Sequence, residues 1–360
     1  MNRYNRHIIL SEIGQKGQDK LSNAKILVVG AGGLGCPVLQ YLTAAGIGII
    51  GIIDFDIVEE SNLQRQVLFG TASLGKNKAI AAKKRLTDLN NTITINAHPN
   101  KLTHKNALDF FKNYDIIVDG TDNFATRYLI NDASIITKKP LVYGAIYKFE
   151  GQVAVFNFQK SSSYRCLFPT PPKEGTIPNC SEIGVLGVLP GIIGSMQANE
   201  VIKIILGLGS ILSGKLLCYN ALTTQTTTLK INRIEEEINK VLSKKENFDK
   251  IDEELCEFYI PEISIDKAFK KKNIQFIDVR EYAELPKVEE LNPLCIPLSE
   301  LENNLEKIDF EKEKIIFCQS GIRSKKAVSI LQKHNINNSY SVKEGALGII
   351  DYLTQLQKQH

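Results

Sequence analysis

Lys25-Ile26-Leu27-Val28-Val29-Gly30-Ala31-Gly32-Gly33-Leu34-Gly35 decides the fold. It reads as a buried strand entering a glycine loop, with a helix over Cys36–Ala45 behind it. Glycines at such a junction let the backbone turn tightly and bring N–H groups close to a phosphate at a helix N-terminus. A second strand over Ile49–Ile53 ends at Asp54, about twenty residues past the last glycine, where an acid is placed to bind ribose hydroxyls. Nicotinamide and flavin enzymes share that much. Ser61-Asn62-Leu63-Gln64-Arg65-Gln66 adds a polar cluster and a fixed cation beside the ribose acid. That combination suits a triphosphate under attack.

Outward from this stretch, residues 1 to 232 alternate strand-like and helix-like segments. Further strands are expected at Thr92–Ala97, Ile116–Asp119, Leu141–Tyr143 and Gln152–Phe156. Helices are expected at Lys76–Leu89, Asn123–Lys138 and Gly191–Leu206, the last apolar and buried, with Glu200 and Lys203 spaced to pair. The fold class is α/β: a Rossmann-like, mostly parallel sheet with helices on both faces, plus a smaller α/β domain. Residues 167–182 are proline-rich and aperiodic, as in a lid or binding loop. Charge runs mark residues 233–261 as a linker, and a new βα alternation occupies 262–360, with strands at Gln275–Asp278 and Lys314–Cys318 and a helix at Ser324–Lys333.

Bulk properties agree with two ordinary globular domains: 360 residues, 43% hydrophobic and 23% charged. A net charge of +4 is no nucleic-acid footprint, so no nucleic-acid partner is expected. Met1–His7 lacks the apolar core of a signal peptide, and Ala44–Ile53 is too short to span a bilayer, so no membrane association is expected. Seven cysteines at scattered spacings suggest a reducing cytosol rather than a disulfide framework. The five histidines form no metal-ligand spacing.

Thr121-Asp122-Asn123 follows the strand ending at Asp119, at the sheet edge where α/β proteins bind ligands. Asp122 there can hold Mg²⁺, which keeps several waters. Lys78 opens a helix and can reach phosphates. With Arg65 and the metal it would offset charge on departing pyrophosphate. Alone, Lys78 would be a solvated helix charge and Asp122-Asn123 a helix cap. Their conjunction in this order is what carries the reading.

These residues resemble the MoeB/ThiF family, adenylyltransferases that activate ubiquitin-like sulfur carriers. The shared features are Arg3-Tyr4-Asn5-Arg6, the glycine loop, Asp54-Phe55-Asp56, Ser61 to Gln66, Gly75 with Lys78, Thr121-Asp122-Asn123 with Arg127, and Tyr164-Arg165-Cys166-Leu167-Phe168-Pro169. The resemblance covers roughly residues 1–230. It implies ATP, Mg²⁺ and a carrier protein ending in Gly-Gly, whose carboxylate attacks the α-phosphate. It also implies that Gly33, Asp54, Ser61, Asn62, Leu63, Gln64, Arg65, Lys78, Asp122 and Asn123 bind ATP and its metal. Arg6 would reach a phosphate in the partner of a homodimer. Cys180 would meet the activated carrier as a thioester or mixed disulfide; the alternative is a buried structural thiol. Many family members hold zinc with two C-x-x-C pairs. Here the first pair reads Ser163-Tyr164-Arg165-Cys166 and no second pair follows, so no zinc site is expected.

Cys318-Gln319-Ser320-Gly321-Ile322-Arg323-Ser324 follows an apolar strand and opens a helix, a setting that favours a thiolate or persulfide. The loop is one residue tighter than that of cysteine phosphatases. It is similar to rhodanese sulfurtransferases, as are Phe276 to Glu281 and Ile296 to Ser299. Leu285 to Cys295 departs from the usual turn of that family. Cys36, Cys218, Cys256 and Cys295 read as structural or incidental.

Together the two domains imply adenylylation of a carrier, with the small subunit of molybdopterin synthase favoured over the thiazole carrier. Sulfur would then come from a Cys318 persulfide loaded by a donor such as a cysteine desulfurase. The rival classes are a nicotinamide or flavin oxidoreductase, an ATP-dependent tRNA-modifying dehydratase and a non-catalytic scaffold. The first leaves Arg65, Lys78 and Asp122 without work. The second wants a basic RNA surface, and the third needs idle site residues.

Overall fold

The computed structural model describes residues 3–171, 184–250, 260–334 and 336–357, which form two compact units, Met1–Asp252 and Glu253–His360. In the first unit the strands are β1 (Lys25–Val29), β2 (Ile49–Ile53), β3 (Thr94–His98), β4 (Ile116–Asp119), β5 (Leu141–Tyr147), β6 (Glu150–Phe156), β7 (Lys215–Asn220) and β8 (Thr226–Lys230). They make one sheet in the order β3-β2-β1-β4-β5-β6-β7-β8. Pairing is parallel from β3 to β5 and antiparallel from β5 to β8.

The parallel strands are apolar along their length because both faces are covered. Within β1, Ile26 and Val28 join the core under the helices Gly35–Ala45 and Leu189–Leu206. Leu27 and Val29 point the opposite way, into the core that includes Phe111 and Ile130 of the helices His104–Lys112 and Phe124–Thr137. This alternation follows from successive strand side chains facing opposite ways. Asparagine caps start two of the site's helices. Asn77 Oδ1 accepts from Ile80 N–H at 3.1 Å at the helix Lys78–Leu89, and Asn123 Oδ1 from Thr126 N–H at 2.9 Å. Such caps satisfy donors a helix leaves open, each contributing about 1 kcal/mol. Glu200 and Lys203 do pair, and Glu200 Oε2 also accepts from Leu212 N–H at 2.9 Å.

The second unit holds β9 (Glu262–Ile263), β10 (Ile274–Asp278), β11 (Leu294–Cys295), β12 (Glu313–Phe317) and β13 (Ser339–Val342) in the order β11-β10-β12-β13-β9. All its pairings are parallel, and the helix Ile322–Lys333 follows β12. Among the described residues no helix is long and apolar enough to cross a membrane.

One expected boundary moves. The segment read as a linker from residue 233 belongs to the first unit as far as its described residues run, to 250. Its helix Glu235–Leu242 buries Ile238 and Val241, and Phe248 packs edge-on against His104 with ring centroids 5.0 Å apart. The charges that suggested a linker lie on the solvent side. Phe248→Ala is therefore expected to cost the first unit about 3–5 kcal/mol in urea unfolding of the full chain; a linker residue would give almost no change.

Candidate active site

In the first sheet β1 lies between β2 and β4, so the chain order reverses at β1 and a crevice opens at the carboxyl ends of these strands. A cavity of about 600 Å³ occupies it. Two close backbone contacts shape its floor. Gly30 has φ +91°, and a Cβ there would stand 2.8 Å from the Gly120 oxygen; a Cβ on Gly35 would stand 1.9 Å from the Gly30 oxygen. Only glycine fits, and the loop Gly30–Leu34 is pressed onto the N-terminus of the helix Gly35–Ala45.

Asp54 is nearly buried and pins this loop. Its carboxylate accepts from Ala31 N–H at 2.8 Å and Asp56 N–H at 2.9 Å. Burial raises its pKa, against those hydrogen bonds and Lys78. Lys78 reaches from the first turn of its helix to Asp56 Oδ2 at 3.1 Å; the lysine side chain is 9% exposed and the aspartate 52%. A buried cation is thus parked on an exposed anion. Arg65 lines the cavity with Nη1 donating to Ser61 O at 3.0 Å. Gln66 Oε1, also at the wall, is buried without a hydrogen-bond partner among the described residues.

Beneath the opposite wall sits a buried charge network. Asp119 Oδ1 accepts from Thr121 N–H at 2.9 Å and Thr121 Oγ1–H at 2.6 Å, and its Oδ2 lies 3.4 Å from Arg127 Nε. Burial raises the Asp119 pKa, while Arg127 and Thr121 pull it down. Arg127 also donates to Thr121 O at 3.0 Å and stands 5.1 Å from the Tyr143 ring centroid. Gln197, from the apolar helix, donates to Asp119 O at 2.8 Å. The network fixes the turn that presents Asp122 and Asn123, both exposed at the cavity.

In the second unit Cys318 follows β12, almost fully buried, with Ser324 Oγ 3.6 Å from its sulfur. Ser324 Oγ–H donates to Gly321 O at 3.0 Å, and the two hydroxyls of Ser324 and Ser341 lie 2.8 Å apart. Arg280, buried against Asp278 at 2.7 Å, donates to Gln319 Oε1 at 3.2 Å. Arg323 grips Glu284 with two bonds of 2.5 and 2.7 Å, which pull the glutamate's pKa down to about 2.

A match to the ThiF family spans residues 4–240. The chain belongs to the ThiF family. The "Sulfur carrier protein adenylyltransferase" of Thermus thermophilus is 50% identical over 238 residues, 65% of this chain and 88% of that one. The "Probable adenylyltransferase/sulfurtransferase MoeZ" of Mycobacterium tuberculosis is 38% identical and spans 99% of this chain and 93% of its own. A crystal structure of E. coli MccB with ATP is 25% identical over 65% of this chain and 72% of that one, with a TM-score of 0.57.

Within this ThiF-family cavity, Gly33, Asp54, Ser61, Gln64, Arg65, Lys78, Asp122 and Asn123 come together as lining residues. Two expected nucleotide ligands do not. Asn62 is buried in a short turn, its Oδ1 accepting from Glu59 N–H at 3.3 Å, and Leu63 packs on the hydrophobic core. Asn123 lines the cavity, but its side-chain oxygen is spent on the helix cap. Arg6 is exposed on the helix Asn5–Ile8 and is not among the lining residues. Cys180 lies outside the described residues.

Cys166 Sγ accepts from Ser163 N–H at 3.3 Å and Ile234 N–H at 3.2 Å, so backbone donors face the sulfur. Among the described residues no three His, Cys, Asp or Glu side chains cluster for a metal. A lone exposed carboxylate such as Asp122 does suit Mg²⁺, which needs one or two carboxylates and takes water for the rest.

Sequence reasoning gave Asp119, Arg127 and Gln197 no role at the site. A glutamine in a helix as apolar as Leu189–Leu206 was a signal, since a buried amide must find partners. Arg127→Leu should destabilise the first unit by about 3–5 kcal/mol in urea unfolding, because Asp119 is left buried and unpaired. A loss below about 1 kcal/mol would place the pair with weak surface bridges.

Proposed function

We propose that the chain joins the C-terminal carboxylate of a Gly-Gly-ending, ubiquitin-like sulfur carrier to AMP, then delivers sulfur to it from a Cys318 persulfide. The observation that carries the reading is the pairing, on one chain, of a cavity lined by Lys78, Arg65 and Asp122 with a loop at the carboxyl end of β12 that holds Cys318. The names of the T. thermophilus and M. tuberculosis relatives, and the ATP of the MccB structure, support the same chemistry.

The carrier carboxylate attacks the α-phosphorus of ATP. The bond to pyrophosphate breaks, and pyrophosphate leaves with the electron pair. Glycine-loop N–H groups and the helix end behind them receive phosphate oxygens. Asp54, held rigid by the loop, takes ribose hydroxyls with its remaining lone pairs. Lys78 exchanges Asp56 for phosphate, and Arg65 adds a second fixed charge. Asp122 would hold Mg²⁺, which, once bound, neutralises phosphate charge as a Lewis acid. The nucleophile is already a carboxylate, so no general base is required.

Sulfur transfer begins when the Cys318 thiolate attacks the sulfane sulfur of a donor persulfide, such as that of a cysteine desulfurase; the donor leaves as its thiolate. The Cys318 persulfide then attacks the activated carbonyl and displaces AMP. A thiol, for which Cys180 is the candidate, cleaves the resulting acyl disulfide and frees the carrier thiocarboxylate. The disulfide left behind is reduced by other thiols. The fused sulfurtransferase unit favours the small subunit of molybdopterin synthase as carrier. Scattered cysteines suit work in a reducing cytosol. Arg6, exposed on its own protomer, is assigned to the neighbouring site of a homodimer.

Intact mass spectrometry of a diglycine-ended carrier, incubated with the chain, ATP, Mg²⁺ and a persulfide donor, tests this. The carrier is expected to gain the mass change of a thiocarboxylate. Cys318→Ala should stop at the adenylate, and Asp122→Ala should leave the carrier unmodified. Thiocarboxylate formed equally well by Cys318→Ala would remove the second unit from the reaction.

A further inference from the structure

Two arginine–carboxylate pairs flank the Cys318 loop, and they differ in one respect. Asp278–Arg280 is sealed, with side chains 9% and 1% exposed, and it braces Gln319. Glu284–Arg323 is bidentate too, but its side chains are 29% and 30% exposed. Solvated pairs exchange partners readily, whereas sealed ones do not. Arg323 stands in the first turn of the helix Ile322–Lys333, which the Cys318 loop opens. Glu284 comes from the connection between β10 and β11, where Glu281 N–H also donates to it at 2.9 Å. Cys318 itself is 1% exposed, so a donor reaches it only if part of its surroundings yields.

We propose that Glu284 holds Arg323 in reserve, closing the Cys318 loop at rest, and that an anionic sulfur donor displaces Glu284 from Arg323 as it approaches Cys318. The inference rests on the sulfurtransferase reading of this unit. It assigns Arg323 as the residue that receives the donor's charge and Glu284 as a positioning residue acting through it. Selection then favours donors whose sulfane sulfur is carried on an anion, persulfide or thiosulfonate, over neutral disulfides. The fork geometry of arginine matches either a carboxylate or such an anion. Lys78 likewise rests on a solvated carboxylate, that of Asp56.

The test is alkylation of Cys318 in the full chain by neutral iodoacetamide and by anionic iodoacetate, in each case by thiolate attack with loss of iodide. The Cys318 peptide is followed by mass spectrometry, so the other cysteines do not interfere. Glu284→Gln and Arg323→Gln should both react faster than wild type with the neutral reagent, because each breaks the closure. The iodoacetate-to-iodoacetamide rate ratio should rise at least about threefold in Glu284→Gln and fall by a similar factor in Arg323→Gln, the scale of a partly exposed ion pair. The double variant should match Arg323→Gln, since Glu284 acts only through Arg323. A ratio that stays at the wild-type value in Glu284→Gln, or moves the same way in both single variants, overturns the proposal. Failure of the wild-type chain to accept sulfur from any persulfide donor is a separate result. It would defeat the sulfurtransferase reading, while the rate ratios would still report what Glu284 does.

Discussion

The first unit depends on a backbone contact at the ends of two neighbouring strands. β1 and β4 run parallel in register, Val29 beside Asp119, and their next residues, Gly30 and Gly120, meet at a distance no Cβ could share. That contact lets the loop after β1 fold back onto its helix while the turn after β4 swings the other way. The crevice between them is the cavity. Asp54 ties the loop from one side and Asp119 ties the turn from the other, each through hydrogen bonds to backbone N–H groups. A larger residue at either glycine would push the strand ends apart and move every group that lines the cavity.

Charge is distributed by burial in the same way in both units. Pairs that build the scaffold are sealed: Asp119 with Arg127, and Asp278 with Arg280. Groups assigned to ligands keep a solvated side. Asp122 is exposed, Lys78 rests on the half-exposed Asp56, and Arg323 on the partly exposed Glu284. A sealed pair loses too much on separation to serve as a switch, while an open pair loses little. This division of labour separates scaffold from site more sharply than residue type does, because Asp and Arg appear on both sides of it.

The legible parts of the sequence were those where one physical demand dominated. Lys25–Val29, Ile49–Ile53 and Ile116–Asp119 are strands at the residues expected, because strands covered on both faces need unbroken apolar runs. β8 was not anticipated: all five of its residues are exposed, and only its pairing with β7 makes it a strand. The helix His104–Lys112 was missed because its polar outer face dilutes the apolar signal of Ala107 and Phe111. In the segment after residue 232, charge density hid Ile238, Val241 and Phe248. At the site, motif order picked out residues that line the cavity but could not separate them from Asn62, buried in its turn, and Leu63, which packs on the core. The pairing of Glu284 with Arg323 joins residues 39 apart in sequence, and no local pattern announces it.

The central claim is that this cavity brings a protein carboxylate and ATP together so that pyrophosphate departs. Exchange of labelled pyrophosphate into ATP measures that step directly and needs no sulfur chemistry. Carrier-dependent exchange with Mg²⁺ is predicted for the wild-type chain, and its loss for Lys78→Ala and for Asp122→Ala. A wild-type chain that exchanges no label with any diglycine-ended carrier, or variants that exchange as fast as wild type, would contradict the account.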